Sequence, residues 1–255
     1  MPLDNIRVVL VRPQGAGNVG AVARALKNMG IRDLFVVEPA CVLPASEADV
    51  MAVHARDVLQ AARSVPSLGA AVEGCGLVVG TTCRSGAYRV AARPPRTVAP
   101  DIVRAAAANR VALVFGPEDH GLSNEEVRRC QQLLTIPTAA EYASLNLAQA
   151  VLLCCYELFL AAQTAPPLAR PRATAERLEF MFQRLQGALL SIGFLNPVNP
   201  EHIMFSIRRL LGEAALDDRD VRIFLAMARQ MEWCAEAARR GRAVAPACGG
   251  AGPEE

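Results

Sequence analysis

The sequence has no uninterrupted apolar stretch that could cross a membrane. Its longest apolar run, from Leu145 to Ala162, is broken by Gln149 and Glu157, so we expect a buried helix there. The first residues lack the basic start, apolar centre and small-residue cleavage site of a secretory signal. These absences predict a cytoplasmic protein with no membrane partner.

Metal-binding patterns are missing as well. None of the eight cysteines belongs to a CxxC pair, and no spacing of cysteine and histidine would close a tetrahedral site, so we expect no metal. In a reducing compartment such cysteines are small buried apolar side chains, and we predict this for Cys154 and Cys155 in the apolar run.

The net charge of +2 is too small to indicate a nucleic-acid partner by itself. Its distribution is more informative, because four arginines and no acidic residue lie between Cys83 and Pro100, in a stretch broken by glycine and proline. This pattern predicts a basic loop, for which RNA contact and ordinary solvation are equally good explanations. The four side chains are Arg84, Arg89, Arg93 and Arg96.

Residues 1–162 alternate short β-branched runs with helical patterns. Buried strands separated by helices predict a parallel sheet in an α/β fold. The first helix is predicted to have Asn18 as its N-cap and to end at Gly30. The clearest strands are Ile6–Val11, Leu34–Val37, Leu77–Val79 and Val111–Phe115.

The remainder of the chain has a different character. Residues 163–173 carry three prolines and no apolar periodicity, which predicts a linker. Residues 174–244 then contain three amphipathic helices, which predict a small all-α extension. The three helices are expected over 174–192, 199–211 and 220–238. Residues 245–255 are expected to form a disordered tail.

A glycine motif offers one alternative for function. Gly15-Ala16-Gly17-Asn18-Val19-Gly20 follows a strand and opens a helix, and Glu38 ends the next strand, as in dinucleotide-binding dehydrogenases. However, Arg12-Pro13-Gln14 separates the strand from the first glycine, whereas a dinucleotide turn needs that glycine at the strand end. An NAD-dependent enzyme is therefore only a minor alternative.

Three longer motifs occur in order, at 18–24, 115–125 and 136–150. They closely resemble the three motifs of the TrmH/SpoU family in the SPOUT superfamily of RNA methyltransferases, and 178–194 with 202–211 resemble the C-terminal extension of its tRNA-specific members. The resemblance implies S-adenosylmethionine-dependent methylation of a ribose 2'-hydroxyl in tRNA, on cytidine or uridine at position 32 of the anticodon loop. An rRNA 2'-O-methyltransferase of the same fold and a non-catalytic RNA-binding paralogue are the alternatives.

The resemblance also implies a fold and a cofactor site. It implies a parallel-sheet SPOUT fold with a C-terminal trefoil knot, whose loops 80–83, 115–121 and 136–145 would hold S-adenosylmethionine. Gly80 and Gly116 at strand ends would let the backbone approach the adenosine closely. The implied cofactor-binding residues are Thr81, Thr82, Cys83, Gly116, Ile136, Ala143, Ser144 and Leu145.

Arg24 matches the catalytic arginine of the family. Because a guanidinium stays protonated in proteins, we expect it to steer an RNA phosphate and stabilise negative charge on the attacking oxygen rather than act as a base. The polar side chains that match further catalytic positions, and would orient Arg24, the ribose and the loop backbone, are Asn18, Glu118, Ser144 and Asn146. Tyr142 could contact the adenosine or the substrate base, or be an ordinary core tyrosine.

The resemblance further implies partners. Enzymes of this branch dimerise, so we expect a homodimer that grips tRNA. The implied RNA-binding residues are Arg24, Arg84, Arg89, Arg93 and Arg96.

Overall fold

A computed structural model describes residues 2–84, 92–164 and 171–240, which form a six-stranded sheet with helices on both faces. The strands are β1 (Ile6–Val11), β2 (Asp33–Val37), β3 (Arg63–Val65), β4 (Cys75–Thr81), β5 (Arg110–Phe115) and β6 (Gln132–Leu134). Their order is β3-β2-β1-β5-β4-β6, and every adjacent pair is parallel. The loops that follow β1, β4 and β5 therefore meet at one edge of the sheet.

The four predicted strands are confirmed as the centre of this sheet. They are β1, β2, β4 and β5, each of which is almost entirely buried. The two edge strands, β3 and β6, were not predicted, because each has only three residues and carries a polar side chain at its start. So short a segment has no measurable periodicity.

Seven α-helices and two short 3-10 helices accompany the sheet in the described residues up to 164, and three more α-helices follow it. The first seven are α1 (Ala16–Asn28), α2 (Ser46–Ala52), α3 (Arg56–Gln60), α4 (Leu68–Ala71), α5 (Pro95–Ala106), α6 (Asn124–Arg128) and α7 (Leu147–Ala162). The last three, α8 (Ala175–Ser191), α9 (Glu201–Glu213) and α10 (Asp218–Arg239), agree with the predicted C-terminal helices. In the described ranges, every helix is too short or too polar to span a membrane.

Side chains alternate between the two faces of the sheet. In β1, Ile6, Val8 and Leu10 pack with residues of α1, α5 and α7, whereas Val9 and Val11 point to the other face. That second face is covered by α4, α6 and two residues of the C-terminal helices, Ala175 and Phe205. The C-terminal helices thus complete the burial of the sheet in addition to forming their own core.

Polar contacts also fasten the C-terminal helices to the sheet. The Asn109 side-chain carbonyl accepts a hydrogen bond from the backbone N–H of Arg172 at 2.6 Å, and Arg128 forms a 2.7 Å ion pair with Glu201. Ala173, at the end of the predicted linker, is buried and its N–H donates to the carbonyl of Leu216. Residues 165–170 of the linker and the tail 245–255 lie outside the described residues.

The start of α1 differs from the sequence prediction. Gly15, not Asn18, is the N-cap, and Asn18 lies inside the first turn, where its side chain bonds elsewhere. The predicted end is confirmed, because Gly30 adopts a left-handed φ of +71° just after the helix.

Close helix packing explains the glycines in this segment. A Cβ on Gly20 would lie 2.1 Å from the Ala48 carbonyl oxygen in α2, and one on Gly17 would lie 2.6 Å from Glu47 Oε1. Gly20 lets the backbones of α1 and α2 touch, and Gly17 leaves room for the Glu47 side chain, so the motif serves packing and not a dinucleotide.

We predict that Gly20→Ala destabilises the fold. The added methyl group would collide with the backbone of Ala48, and such overpacking costs about 1–3 kcal/mol in free energy of unfolding. Gly187→Ala in α8 is the matched control, because its Cβ would meet nothing closer than 3.9 Å, and alanine there should add up to about 1 kcal/mol. Chemical denaturation measures both variants, and equal stability of Gly20→Ala and the parent would contradict the packing explanation.

Candidate functional site

A cavity of about 230 Å³ lies beyond the carboxyl ends of β4, β5 and β6. Its walls are the three loops that follow these strands, which bring together segments 81–84, 115–121 and 136–145. All eight residues expected to bind the cofactor line this one cavity: Thr81, Thr82, Cys83, Gly116, Ile136, Ala143, Ser144 and Leu145. Two catalytic candidates, Glu118 and Ser144, line it as well.

The cavity combines apolar walls with polar main-chain and carboxylate groups. Apolar side chains come from Phe115, Pro117, Leu134, Ile136 and Leu147. The loops are held in place by backbone contacts, since Thr82 N–H donates to the Leu134 carbonyl at 2.8 Å. Apolar walls suit a flat heteroaromatic ring, and the carboxylates suit a positively charged group beside it.

A chain of hydrogen bonds connects three of the predicted catalytic side chains. Asn18 donates from Nδ2 to Glu118 Oε1 at 2.8 Å, and Asn146 donates from Nδ2 to Asn18 Oδ1 at 2.9 Å. The second Glu118 oxygen accepts from the backbone N–H of Gln14 at 3.0 Å. Because both carboxylate oxygens of Glu118 are engaged, this residue is suited to positioning its neighbours rather than to taking a proton.

Asn146 also begins helix α7. Its Oδ1 accepts hydrogen bonds from the N–H groups of Ala148 at 2.9 Å and Gln149 at 3.4 Å, which makes it the N-cap of the helix. One side chain therefore both ends the cavity loop and joins it to α1 through Asn18.

Close packing within the protein requires glycine at two strand ends, Gly80 and Gly116. A Cβ on Gly116 would lie 2.3 Å from the backbone of Gly121 and Leu122, and one on Gly80 would lie 2.7 Å from Cys130 Sγ. The space freed by each glycine is thus occupied by the protein itself. This packing explains why neither position takes a Cβ, while Gly116 also lines the cavity, and the approach of these backbones to an adenosine stays a prediction.

Asp119 and His120, to which the sequence assigned no role, also line the cavity. A hydrogen bond from the Gln14 side chain is the main reason that the pKa of Asp119 is lowered, and the His120 N–H and charge add to it. Their position inside the 115–125 motif, between Glu118 and Gly121, could have identified them as site residues from the sequence.

The predicted RNA-binding arginines are not gathered at one place. Arg24 lies on the exposed face of α1 and Arg84 at the cavity, while Arg96 forms a 3.0 Å ion pair with Glu157. The predicted basic loop is also shorter than expected, because α5 begins at Pro95 and includes Arg96. Arg89 lies outside the described residues. Tyr142 is 79% exposed, so the core-tyrosine explanation was wrong.

The acidic residue of the dinucleotide alternative is engaged elsewhere. Glu38 lies 3.9 Å from Arg12, which forms a 2.6 Å ion pair with Glu126. Glu38 and the glycines of the 15–20 motif are absent from the described lining of the cavity. Together with the packing of Gly17 and Gly20 against α2, this arrangement disfavours the nicotinamide-binding alternative.

Two protein families match the chain in succession. Residues 5–156 match the SpoU rRNA Methylase family, and residues 176–243 match the C-terminal domain of the tRNA methyltransferase TrmJ.

Curated relatives match over most of their length. The tRNA (cytidine/uridine/adenosine-2'-O-)-methyltransferase TrmJ of Pseudomonas aeruginosa is 41% identical over 87% of this chain and 91% of its own. The tRNA (cytidine/uridine-2'-O-)-methyltransferase TrmJ of Pectobacterium atrosepticum is 40% identical over 87% and 94%.

Solved structures show the same fold. TrmJ from Z. mobilis superposes with a TM-score of 0.75 at 32% identity, covering 89% of this chain and 98% of that one. A putative methylase family protein from Neisseria gonorrhoeae superposes with a TM-score of 0.65 at 36% identity, covering 71% and 94%.

We predict that Cys83 is the thiol that reports ligand binding in this cavity. Cys83 is exposed at the cavity, whereas burial raises the pKa of Cys75 to about 11 and of Cys130 and Cys154 to about 12. A raised thiol pKa keeps the unreactive neutral form up to higher pH, so iodoacetamide at pH 8 should spare these three and label Cys83. S-adenosylhomocysteine should slow Cys83 labelling, measured by peptide mass spectrometry.

Cys234 in α10 is the control, since it is partly exposed and does not line the cavity. Its labelling rate should be the same with and without the ligand. Equal Cys83 rates under both conditions would exclude the cavity as the cofactor site.

Proposed function

This chain belongs to the SpoU rRNA Methylase family, and we propose that it is an S-adenosylmethionine-dependent tRNA methyltransferase that modifies the ribose 2'-hydroxyl of cytidine and uridine. The observation that carries the proposal is the cavity walled by the loops 81–84, 115–121 and 136–145, two of which belong to the family motifs, in a chain that also carries the TrmJ C-terminal domain. The relatives named for tRNA favour tRNA over rRNA as the substrate, and we propose position 32 of the anticodon loop as the target.

The cavity fits S-adenosylmethionine in its chemistry. Apolar side chains such as Ile136 and Leu145 suit an adenine ring, and main-chain groups of Thr82 and Leu145 can bond it. Asp119 and Glu118 supply negative charge next to a cationic sulfonium. When bound, the cofactor supplies a methyl group on that sulfonium, and the sequence-derived set from Thr81 to Leu145 would hold it.

The polar side chains near the cavity would have separate roles in the reaction at the ribose. The attacking 2'-hydroxyl is a weak nucleophile until its proton leaves, so developing negative charge on oxygen must be stabilised. Arg24 is exposed and, within the described residues, makes no ion pair, so its guanidinium is free to contact RNA. Glu118, Asn18 and Asn146 would fix the loops around the ribose, and Ser144 would contact the substrate from the cavity wall.

We propose a trefoil knot for the segment from β4 to α7. Support comes from strand order, because the chain passes from β4 inward to β5 and then outward to β6. It afterwards returns in α7, which packs with α1 and α5 on one face of the sheet. The domains would be a methyltransferase domain (1–162), a linker (163–173), a helical domain (174–244) and a tail (245–255).

We propose that the active form is a homodimer. The support is a row of apolar side chains on α7, each 37–43% exposed, that faces solvent in the single chain: Leu152, Leu153, Tyr156 and Leu160. A second copy would cover this row and bring Arg24 and Arg84 of one subunit towards RNA held by the other.

Methyl transfer to tRNA tests the function directly. We expect the protein to bind S-adenosylhomocysteine but not NAD by calorimetry, and to transfer labelled methyl groups to tRNA, not rRNA, with ribose-methylation mapping giving the position. Arg24→Ala should lower kcat roughly 100- to 1,000-fold while leaving cofactor affinity unchanged. Arg32→Ala, another exposed arginine, is the control. Normal turnover by Arg24→Ala would remove Arg24 from the site.

Charge on α7 should break the dimer. Leu153→Glu would place a carboxylate in the apolar row, so light scattering at micromolar concentration should find monomers, whereas Val50→Glu, on the exposed side of α2, should stay dimeric. A parent protein that is monomeric and fully active would rule out the dimer.

A further inference from the structure

A second and larger concavity lies apart from the cavity of the three loops. Its volume is about 930 Å³, and its lining comes from edge strand β6, from α5 and from α9, so we name it the α5–α9 cleft. Among the described residues, none lines both this cleft and the 230 Å³ cavity. It therefore is a separate candidate for binding.

The α5–α9 cleft is strongly basic. Six arginines and two acidic residues line it: Arg93, Arg104, Arg128, Arg172, Arg208 and Arg209, with Asp101 and Glu213. Within the described part of the chain, the guanidinium groups of Arg93 and Arg172 form no ion pair or hydrogen bond. The other four each pair with a carboxylate: Arg104 with Asp101, Arg128 with Glu201, Arg208 with Glu179 and Arg209 with Glu213. The positive charge that the described residues leave unpaired is thus that of Arg93 and Arg172.

Burial makes Arg172 the most informative of these residues. Its side chain is partly buried, and desolvation lowers its pKa despite the nearby charge of Asp101. A guanidinium held out of water without a carboxylate partner is energetically unfavourable, and an anion bound beside it would relieve this cost. Arg208 Nε and Gln132 Oε1, on two other lining residues, are also buried without a hydrogen-bond partner.

Two further arginines can turn towards a ligand at little cost. Arg104 pairs with Asp101 at 2.8 Å and Arg209 with Glu213 at 3.3 Å, each within one helical turn on an exposed helix surface. Such surface pairs contribute little to stability. Planar guanidinium groups bind phosphate through paired hydrogen bonds, so the cleft favours a phosphate-bearing ligand.

We propose that the α5–α9 cleft binds backbone phosphates of the tRNA substrate, at a distance from the ribose that is methylated. This inference rests on the proposed function. The arginines come from α5 and the segment before it, from α6, from the segment before α8 and from α9, along a cleft far larger than one phosphate, which fits a polynucleotide strand. By supplying one wall of the cleft, α9 would give the C-terminal helices a part in RNA binding.

The double variant Arg172→Gln/Arg209→Gln tests this proposal. Loss of two phosphate contacts should weaken tRNA binding roughly tenfold or more, measured by fluorescence anisotropy, and make the slope of log affinity against log salt shallower by about 1–2. The KM for tRNA should rise while kcat and S-adenosylhomocysteine affinity stay unchanged. Arg222→Gln, an exposed arginine of α10 away from the cleft, is the control and should bind tRNA normally.

Failure of the cleft proposal is distinguishable from failure of the proposed function. If the parent methylates tRNA but the double variant keeps the parental tRNA affinity and salt slope, only the cleft proposal is overturned. A parent that neither binds nor methylates tRNA overturns the function. If Arg172→Gln disturbs folding, as thermal melting would show, Arg104→Gln/Arg209→Gln changes only exposed side chains and gives the same two outcomes.

Discussion

The hydrogen bonds that join Glu118, Asn18 and Asn146 have a direction. At one end is a carboxylate, and at the other is the N-terminus of α7, which carries partial positive charge and is capped by Asn146. Asn18 lies between them because an amide donates and accepts at once, so it can satisfy both neighbours. Glu118 belongs to the loop after β5 and Asn146 to the loop after β6, while Gln14, in the loop after β1, donates to Glu118. These hydrogen bonds hold the three loops together and so help to fix the shape of the cavity.

The same glycine spacing in a sequence can meet different structural requirements. Glycines spaced as in a phosphate-binding turn here allow two helix backbones to touch, at Gly20 and Ala48. Gly116 likewise allows a loop to fold against Gly121 and Leu122. In both places the requirement is the absence of a Cβ, and only the neighbouring backbone reveals which surface needs the space.

Much of the fold could be predicted from the sequence, because buried strands such as Ile6–Val11 appear as short apolar runs and amphipathic helices as a 3.6-residue apolar period. The edge strands could not, since three residues carry no period. The cavity residues came from motif resemblance, which places Thr82 and Leu145 in one site although 63 positions separate them. Contacts between distant polar groups, such as Asn18 with Glu118 or the α5–α9 cleft, depend on topology and leave no local pattern.

The cover of the second sheet face has a consequence during synthesis. Val9, Phe35, Val78 and Val114 leave the ribosome well before Ala175 and Phe205, which complete the cluster to which they belong. For that interval the nascent chain presents an apolar sheet surface shielded only by the short helices α4 and α6. The period of exposure is set by the time needed to translate the C-terminal helices, and apolar surface exposed in this way is prone to aggregation.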